Sequence, residues 1–259
     1  MTEDEPVRMH DMRSRAEAFG AVAEDYDRYR PSYPDALMDD LVAGRPTNAL
    51  DVGCGTGKAA RLLAARGVDV LGVEIDEDMA MVARRSGVLV EVGSFETWDP
   101  RGRTFDLVVS GQAWHWIDPA LGVPKVAGLL RPGATLALFW NTVSMDEATR
   151  DLLRAAYARV APDMAAVGRH LDEDSDPQYA ADLRDSGLFR SVDLRKYTWQ
   201  RDYSSTEYVH LTQTYSDHVV RSQEERAALT EAIGAAIDAA GGTLSARYTT
   251  LAIVALAPR

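Results

Sequence analysis

The chain holds a single cysteine, Cys54, in 259 residues. That excludes an internal disulfide and any multi-cysteine metal cluster, and it points to a reducing compartment. Long apolar runs are missing as well. The opening stretch MTEDEPVRMHDMRSRAEAFG has no signal-like apolar core, and nothing downstream reaches the length that spans a bilayer. A cytoplasmic protein with no membrane partner is expected. Positive charge is scarce too: 28 Lys and Arg stand against 40 Asp and Glu, a formal net charge of −12. Most of the surface therefore repels phosphate, which argues against a nucleic-acid partner. No spacing of His, Cys, Asp or Glu suggests a metal site, and no repeat or low-complexity tract interrupts the chain.

What is present is one large potential core. At 46% hydrophobic residues the chain can form a single domain across 1–259. From Ala49 onward, short apolar runs alternate with amphipathic stretches, the βαβ pattern of a parallel sheet covered on both faces. Strands are expected at Ala49–Val52, Val68–Val73, Leu89–Val92, Phe105–Ser110 and Thr135–Trp140. Between them lie a helix from Lys58 to Arg66, one capped by Asp76 and stopped at Gly87, and one opened by Asp118 and Pro119 and reaching Leu130. Beyond Asn141 the pattern changes. Helices at Asp146–Val160 and Asp176–Ser186 precede a more polar, edge-like strand at Val192–Trp199. Ser204 with Glu207 and Ser222 with Glu225 fit capping boxes for two more helices before a last strand, Tyr248–Leu256.

The most informative segment is Asp51-Val52-Gly53-Cys54-Gly55-Thr56-Gly57. Alternate glycines between a buried strand and a helix let the backbone approach a ligand at the helix N-terminus. A dinucleotide fingerprint needs its third glycine three residues after Gly55, where this sequence has Lys58. Asp51 sharpens the choice: a carboxylate ahead of the loop repels a diphosphate but complements the α-ammonium and sulfonium of S-adenosylmethionine. Glu74 ends the second strand about 20 residues on, where an acid accepts hydrogen bonds from both ribose hydroxyls. Cys54, a lone thiol in a tight turn, reads as a packing residue rather than a nucleophile.

The segments LDVGCGTG, GVEID, FDLVVSGQAWHW and LLRPGATLALFWN, spread from Leu50 to Asn141, resemble the successive motifs of the class I S-adenosylmethionine-dependent methyltransferases. Phe19 to Pro34, with Ala23, Tyr26, Tyr29-Arg30-Pro31 and Tyr33-Pro34, is similar to the N-terminal helix of bacterial small-molecule members, including relatives of trans-aconitate methyltransferase. The resemblance implies a doubly wound, Rossmann-like α/β fold. Its sheet has seven strands, mostly parallel with the last antiparallel, and helices lie on both faces with a helical cap above. Residues 49–141 form the cofactor-binding core, and 1–48 and 142–245 supply the cap and substrate-binding helices.

The cofactor implied is S-adenosyl-L-methionine, with S-adenosyl-L-homocysteine as product. By the same likeness Asp51, Gly53 and Gly55 border the methionine end, Glu74 holds the ribose and Ile75 flanks the adenine. Ser94 and Phe95 fall at the adenine contact, where the family's usual acid is a serine here. Ser110, mainly through its main chain, and Gln112 approach the methionine portion and the methyl.

Trp114-His115-Trp116 joins aromatic faces that attract a sulfonium to a histidine that could take a substrate proton, so His115 is the catalytic candidate. Tyr26, Tyr33, Trp114, Tyr215 and His218 are assigned to the substrate pocket at the carboxyl edge of the sheet; packing of the cap is the alternative for each. The expected reaction is methyl transfer to the O, N or C atom of a small molecule. The competing readings are a non-catalytic S-adenosylmethionine binder and an NAD(P)-dependent oxidoreductase. Homo-oligomerisation is left open by this pattern.

Overall fold

The computed structural model describes Gly20, residues 22–164 and residues 178–259. Phe19 of the N-terminal motif and Asp176, the expected start of a helix, lie outside the described residues. Two helices, α1 (Ala23–Tyr29) and α2 (Asp35–Val42), lead into β1 (Asn48–Val52). The doubly wound section follows as α3 (Lys58–Ala64), β2 (Asp69–Glu74), α4 (Glu77–Arg85), β3 (Leu89–Val92), β4 (Phe105–Gly111), α5 (Pro119–Leu129) and β5 (Leu130–Ser144). A single 3₁₀ turn, Trp114–Trp116, lies between β4 and α5. The remainder is α6 (Glu147–Val160), α7 (Gln178–Asp185), β6 (Ser191–Ser204), α8 (Ser205–Gln213), α9 (Ser216–Val219), α10 (Gln223–Ala239) and β7 (Thr243–Leu256).

The sheet has seven strands in the order β3-β2-β1-β4-β5-β7-β6. Strands β1 to β5 pair in parallel, and β7 runs antiparallel to both β5 and β6. The expected fold class is therefore what the chain adopts. Alternation along the central strands explains the two-sided cover. Leu50, Val52, Val108, Leu136 and Leu138 face one cluster with Val123 and Val126 of α5 and Leu183 of α7. Ala49, Leu107, Val109, Ala137 and Phe139 face the other, with Leu37, Met38 and Leu41 of α2 and Leu63 of α3. Leu107 and Leu138, each fully buried, contribute about 1.5–3 kcal/mol apiece by leaving water.

Several elements differ from the sequence reading at their ends. β5, β6 and β7 run well past the expected Thr135–Trp140, Val192–Trp199 and Tyr248–Leu256. The extensions carry many polar residues, such as Thr142, Ser144, Arg201 and Ser245, and their backbones pair from Ser144↔Arg247 to Ser204↔Thr243. This long arm carries Tyr203, Leu244 and Tyr248, which form a separate apolar cluster with Leu153 of α6, Leu211 of α8 and Leu229 and Ile233 of α10. Both capping boxes close as expected, and the short α9 is an addition between them. Among the described residues no helix is long and apolar enough to cross a membrane, and no metal-holding group of His, Cys, Asp and Glu is present.

Candidate functional site

A cavity of about 1630 Å³ opens above the carboxyl ends of β1, β2, β4 and β5. Ligand pockets for one small molecule span roughly 300–1,000 Å³, so this space accommodates two. Its floor is the glycine loop. Gly53 adopts φ +65°, and a Cβ there would lie 2.5 Å from the Cβ of Ala113. Only glycine fits both demands. The N–H groups of Gly53 and Cys54 donate to the carbonyl of Val73 at 2.8 and 3.1 Å, which ties the loop to the end of β2.

Two buried carboxylates flank this loop. Asp51, 1% exposed, accepts the N–H of Ala60 in the first turn of α3 at 3.1 Å. Glu74 accepts the N–H of Gly55 at 2.7 Å with one oxygen and that of Asp76 at 3.0 Å with the other. Burial raises the Asp51 carboxyl to about 7; the neighbouring negative charge of Glu74 adds to this, and the Ala60 N–H opposes it. Burial also raises Glu74, against the backbone donors around it. A cavity edged by two carboxylates held back from ionising is matched to a cation.

Most of the expected site residues line this one cavity: Asp51, Gly53, Gly55, Glu74, Ile75, Ser94, Phe95, Gln112, His115, Tyr26, Tyr33 and Tyr215. Gln112 holds φ +59°, a conformation few non-glycine residues adopt, and its N–H donates to the carbonyl of Phe139 at 2.9 Å. Ser110 lies behind the wall, its hydroxyl donating to the carbonyl of Val52 at 2.8 Å. Its side chain therefore fastens β4 to β1 while Gly111 beside it reaches the cavity.

Three expectations need correction. Trp114 is fully buried in the sheet's core beside Phe95, not in the cavity wall, whereas Trp116 lines the cavity. The 3₁₀ turn separates the two indoles, which adjacency in sequence does not show. His218, 1% exposed, sits behind the wall, with Nε2 3.0 Å from the hydroxyl of Tyr157, which does line the cavity. His115 reaches the cavity, but its Nδ1 accepts the indole N–H of Trp140 at 3.1 Å, and burial lowers it to about 4. The neutral ring then carries its proton on Nε2, so it offers a donor in place of the expected base.

Some lining residues escaped the sequence reading. Glu96, two residues beyond Ser94, accepts the Ser94 hydroxyl at 2.6 Å, so an acid is present where position 94 lacks one. Lys58 donates to the carbonyl of Asp27 at 2.5 Å and bridges the loop to α1. Arg30, Tyr157, Tyr208 and Tyr248 reach the cavity from α1's exit, α6, α8 and β7. The amphipathic pattern of their helices and strands gave no sign of which face was inward; the capping boxes fixed only where α8 and α10 begin.

Residues 50–138 match the family model for a methyltransferase domain. The core of the chain is thus similar to a methyltransferase domain, in agreement with its motifs and its strand order. The chain is 39% identical over 132 residues to an uncharacterized methyltransferase of Mycobacterium tuberculosis, covering 50% of this chain and 54% of that protein. It is 34% identical over 147 residues to a trans-aconitate 2-methyltransferase of Methylobacterium radiotolerans, covering 55% of each. The chain thus spans about half the length of these curated relatives. A solved structure from Anaeromyxobacter dehalogenans, assigned provisionally as a type II methyltransferase, superposes with a TM-score of 0.65 at 22% identity, covering 89% of this chain and 100% of that one. At that identity the likeness concerns the fold.

Proposed function

We propose that the protein transfers a methyl group from S-adenosylmethionine to a small-molecule acceptor at an O, N or C atom. The observation that carries this is the pair of buried carboxylates, Asp51 and Glu74, on either side of the glycine loop in a cavity with room for two ligands. A diphosphate against that loop meets both carboxylates, and Lys58 is engaged with Asp27, so a nicotinamide dinucleotide is poorly matched.

Bound there, the cofactor supplies an electrophilic methyl on a positively charged sulfur. Asp51 takes the α-ammonium, Glu74 the ribose hydroxyls, and Ile75 and Phe95 flank the base, whose amino group meets the Ser94–Glu96 pair. Gln112 and the main chain beside Ser110 shape the methionine end. His115 presents its Nε2–H as a donor that orients an acceptor oxygen. Trp116, Tyr26, Tyr33 and Tyr215 provide an aromatic, poorly hydrated wall suited to a charge that disperses as transfer proceeds. The protein's contribution is alignment and exclusion of water.

In this reading the chain is one domain. Residues 49–141 bind the cofactor, and residues 1–48 and 142–245 close over the acceptor. The site is cytoplasmic and metal-independent. Mass spectrometry of small molecules retained through purification, followed by release of S-adenosylhomocysteine with each candidate acceptor, tests it. A protein that retains and turns over nothing while holding S-adenosylhomocysteine tightly would favour a cofactor-binding role without catalysis.

A further inference from the structure

The part of the cavity beyond β5, away from the glycine loop, is walled by segments that follow Asn141, and its lining changes with depth. Leu153 of α6, Met164, Tyr208 of α8 and Tyr248 of β7 are buried, and Val143 and Met145 are half-buried. The two arginines of α6 on the same wall, Arg150 and Arg154, are exposed, and Arg154 is held by Asp151. Arg30 donates to Thr214 through Nε and Nη2 and lies over the rings of Tyr26 and Tyr215. An occupant therefore meets charge at the entrance and apolar and phenolic surface within, a poor match for a multiply charged molecule that has to shed its water.

One hydroxyl on this surface has a fixed direction of donation. The Tyr157 oxygen lies 3.0 Å from Nε2 of His218, whose buried ring packs edge-on against Tyr157 and Tyr215. Burial lowers His218 and raises Tyr157, so near neutral pH the pair is an uncharged imidazole beside an uncharged phenol. Nδ1 of His218 is buried with no hydrogen-bond partner. A proton there would be an N–H buried without an acceptor, the rarer kind of orphan, whereas a proton on Nε2 leaves only a lone pair unmatched. Nε2–H then donates to the phenol oxygen, and the hydroxyl hydrogen of Tyr157 is left over. Among the described residues Tyr157 has no second hydrogen-bond partner, and it lines the cavity. The charge of Asp217 also reaches this phenol, so a carboxylate placed at the hydroxyl is repelled while a neutral oxygen is not.

Resting on the cofactor reading above, we infer that the methyl acceptor is a molecule with an apolar body and a neutral carbonyl or ether oxygen, anchored by a hydrogen bond from the Tyr157 hydroxyl. His218 is the positioning residue that aims this hydroxyl from behind the wall.

Calorimetric titration of the full chain, first saturated with S-adenosylhomocysteine, with indanone and with indane tests this. The two probes share one apolar bicyclic body, and only indanone carries a carbonyl. Wild type is expected to bind both and to prefer indanone roughly 3- to 10-fold, the range of one neutral hydrogen bond. Tricarballylate, a small tricarboxylate, should give no response. Tyr157→Phe, which removes the hydroxyl and keeps the ring, should erase most of the preference. His218→Leu should lower it, and His218→Gln, whose amide donates again toward the phenol oxygen, should restore it. Nitrogen-15 spectra of the labelled wild-type ring need no substitution and should place the proton on Nε2. Failure to bind either probe, equal wild-type affinity for the two, tighter binding of tricarballylate, a preference that survives Tyr157→Phe, or a proton on Nδ1 overturns the proposal. A wild type that does not take up S-adenosylhomocysteine overturns the cofactor reading itself.

Discussion

The indole N–H of Trp140 donates to Nδ1 of His115 across 3.1 Å, joining the end of β5 to the 3₁₀ turn that follows β4. This contact decides which nitrogen of the imidazole carries its proton, and with it what the ring can do.

His115 is expected to remain neutral down to about pH 4, where burial has moved it from near 6.5. Because the folded state disfavours the charged ring, its contribution to stability is intact above pH 6.5 and is lost as pH falls toward 4. Proton NMR of the ring Cε1–H should give a midpoint near 4, and His115→Asn should lessen the acid loss of stability. A midpoint near 6.5, or a neutral-pH limb of the rate profile abolished by His115→Asn, would contradict the donor role.

Asp51 works in the opposite sense. Its carboxyl is raised to about 7, so the folded state favours the protonated form; the stabilising contribution is present below about pH 4 and is lost as pH rises through 7. Asp51→Asn keeps an oxygen for the Ala60 N–H. It is expected to raise the ligand-free stability at pH 8 by about 1–3 kcal/mol, a shift of several degrees in Tm. The same substitution should weaken S-adenosylhomocysteine roughly tenfold or more. Thermal melts and calorimetry at pH 5.5 and 8 check both, with wild-type affinity rising between the two.

The glycine loop, the acids that end β1 and β2 beside it and the βαβ rhythm were legible because each is a short pattern with one physical meaning. The lengths of β5, β6 and β7 were not, because their extensions are rich in polar residues held by backbone pairing, and the short alternation of Leu244, Ala246 and Tyr248 is too brief and too mixed with polar residues to mark a strand by itself. Trp114 and Trp116 show the limit at the site. Two identical side chains, two residues apart, face core and cavity because a single 3₁₀ turn intervenes. Arg30 and Tyr157 reach the cavity through tertiary packing of α1 and α6, which no single segment encodes.

Those two tryptophans should separate by experiment. Trp114→Ala removes a fully buried ring and should cost about 3–5 kcal/mol of stability. Trp116→Ala should leave the fold nearly intact and weaken S-adenosylmethionine more than S-adenosylhomocysteine, by roughly 3- to 30-fold, because only the former carries the sulfonium charge. Chemical denaturation and paired binding titrations distinguish them. A large stability loss at Trp116 with unaltered ligand preference would place it in the core.

Cys54 packs against Gly72, where an added Cβ would sit 2.5 Å from its Sγ. Burial raises the thiol well above its ordinary range, so it should resist alkylation in the folded protein. Gly72→Ala is expected to cost about 1–3 kcal/mol through overpacking. Adding Cys54→Ala should return much of that, a coupling that a double-mutant cycle reads directly. Loss of ligand binding on Cys54→Ala alone would speak for a role beyond packing.

The most direct test of the account is a calorimetric titration of S-adenosylhomocysteine at pH 8 into wild type, Asp51→Asn and Glu74→Gln, with NADH titrated alongside. The expected result is one-site binding by wild type, marked weakening in both variants and no response to NADH. Binding of NADH in place of the nucleoside thioether, or variants that bind it as tightly as wild type, would contradict the claim that two buried carboxylates build this site for a cationic cofactor.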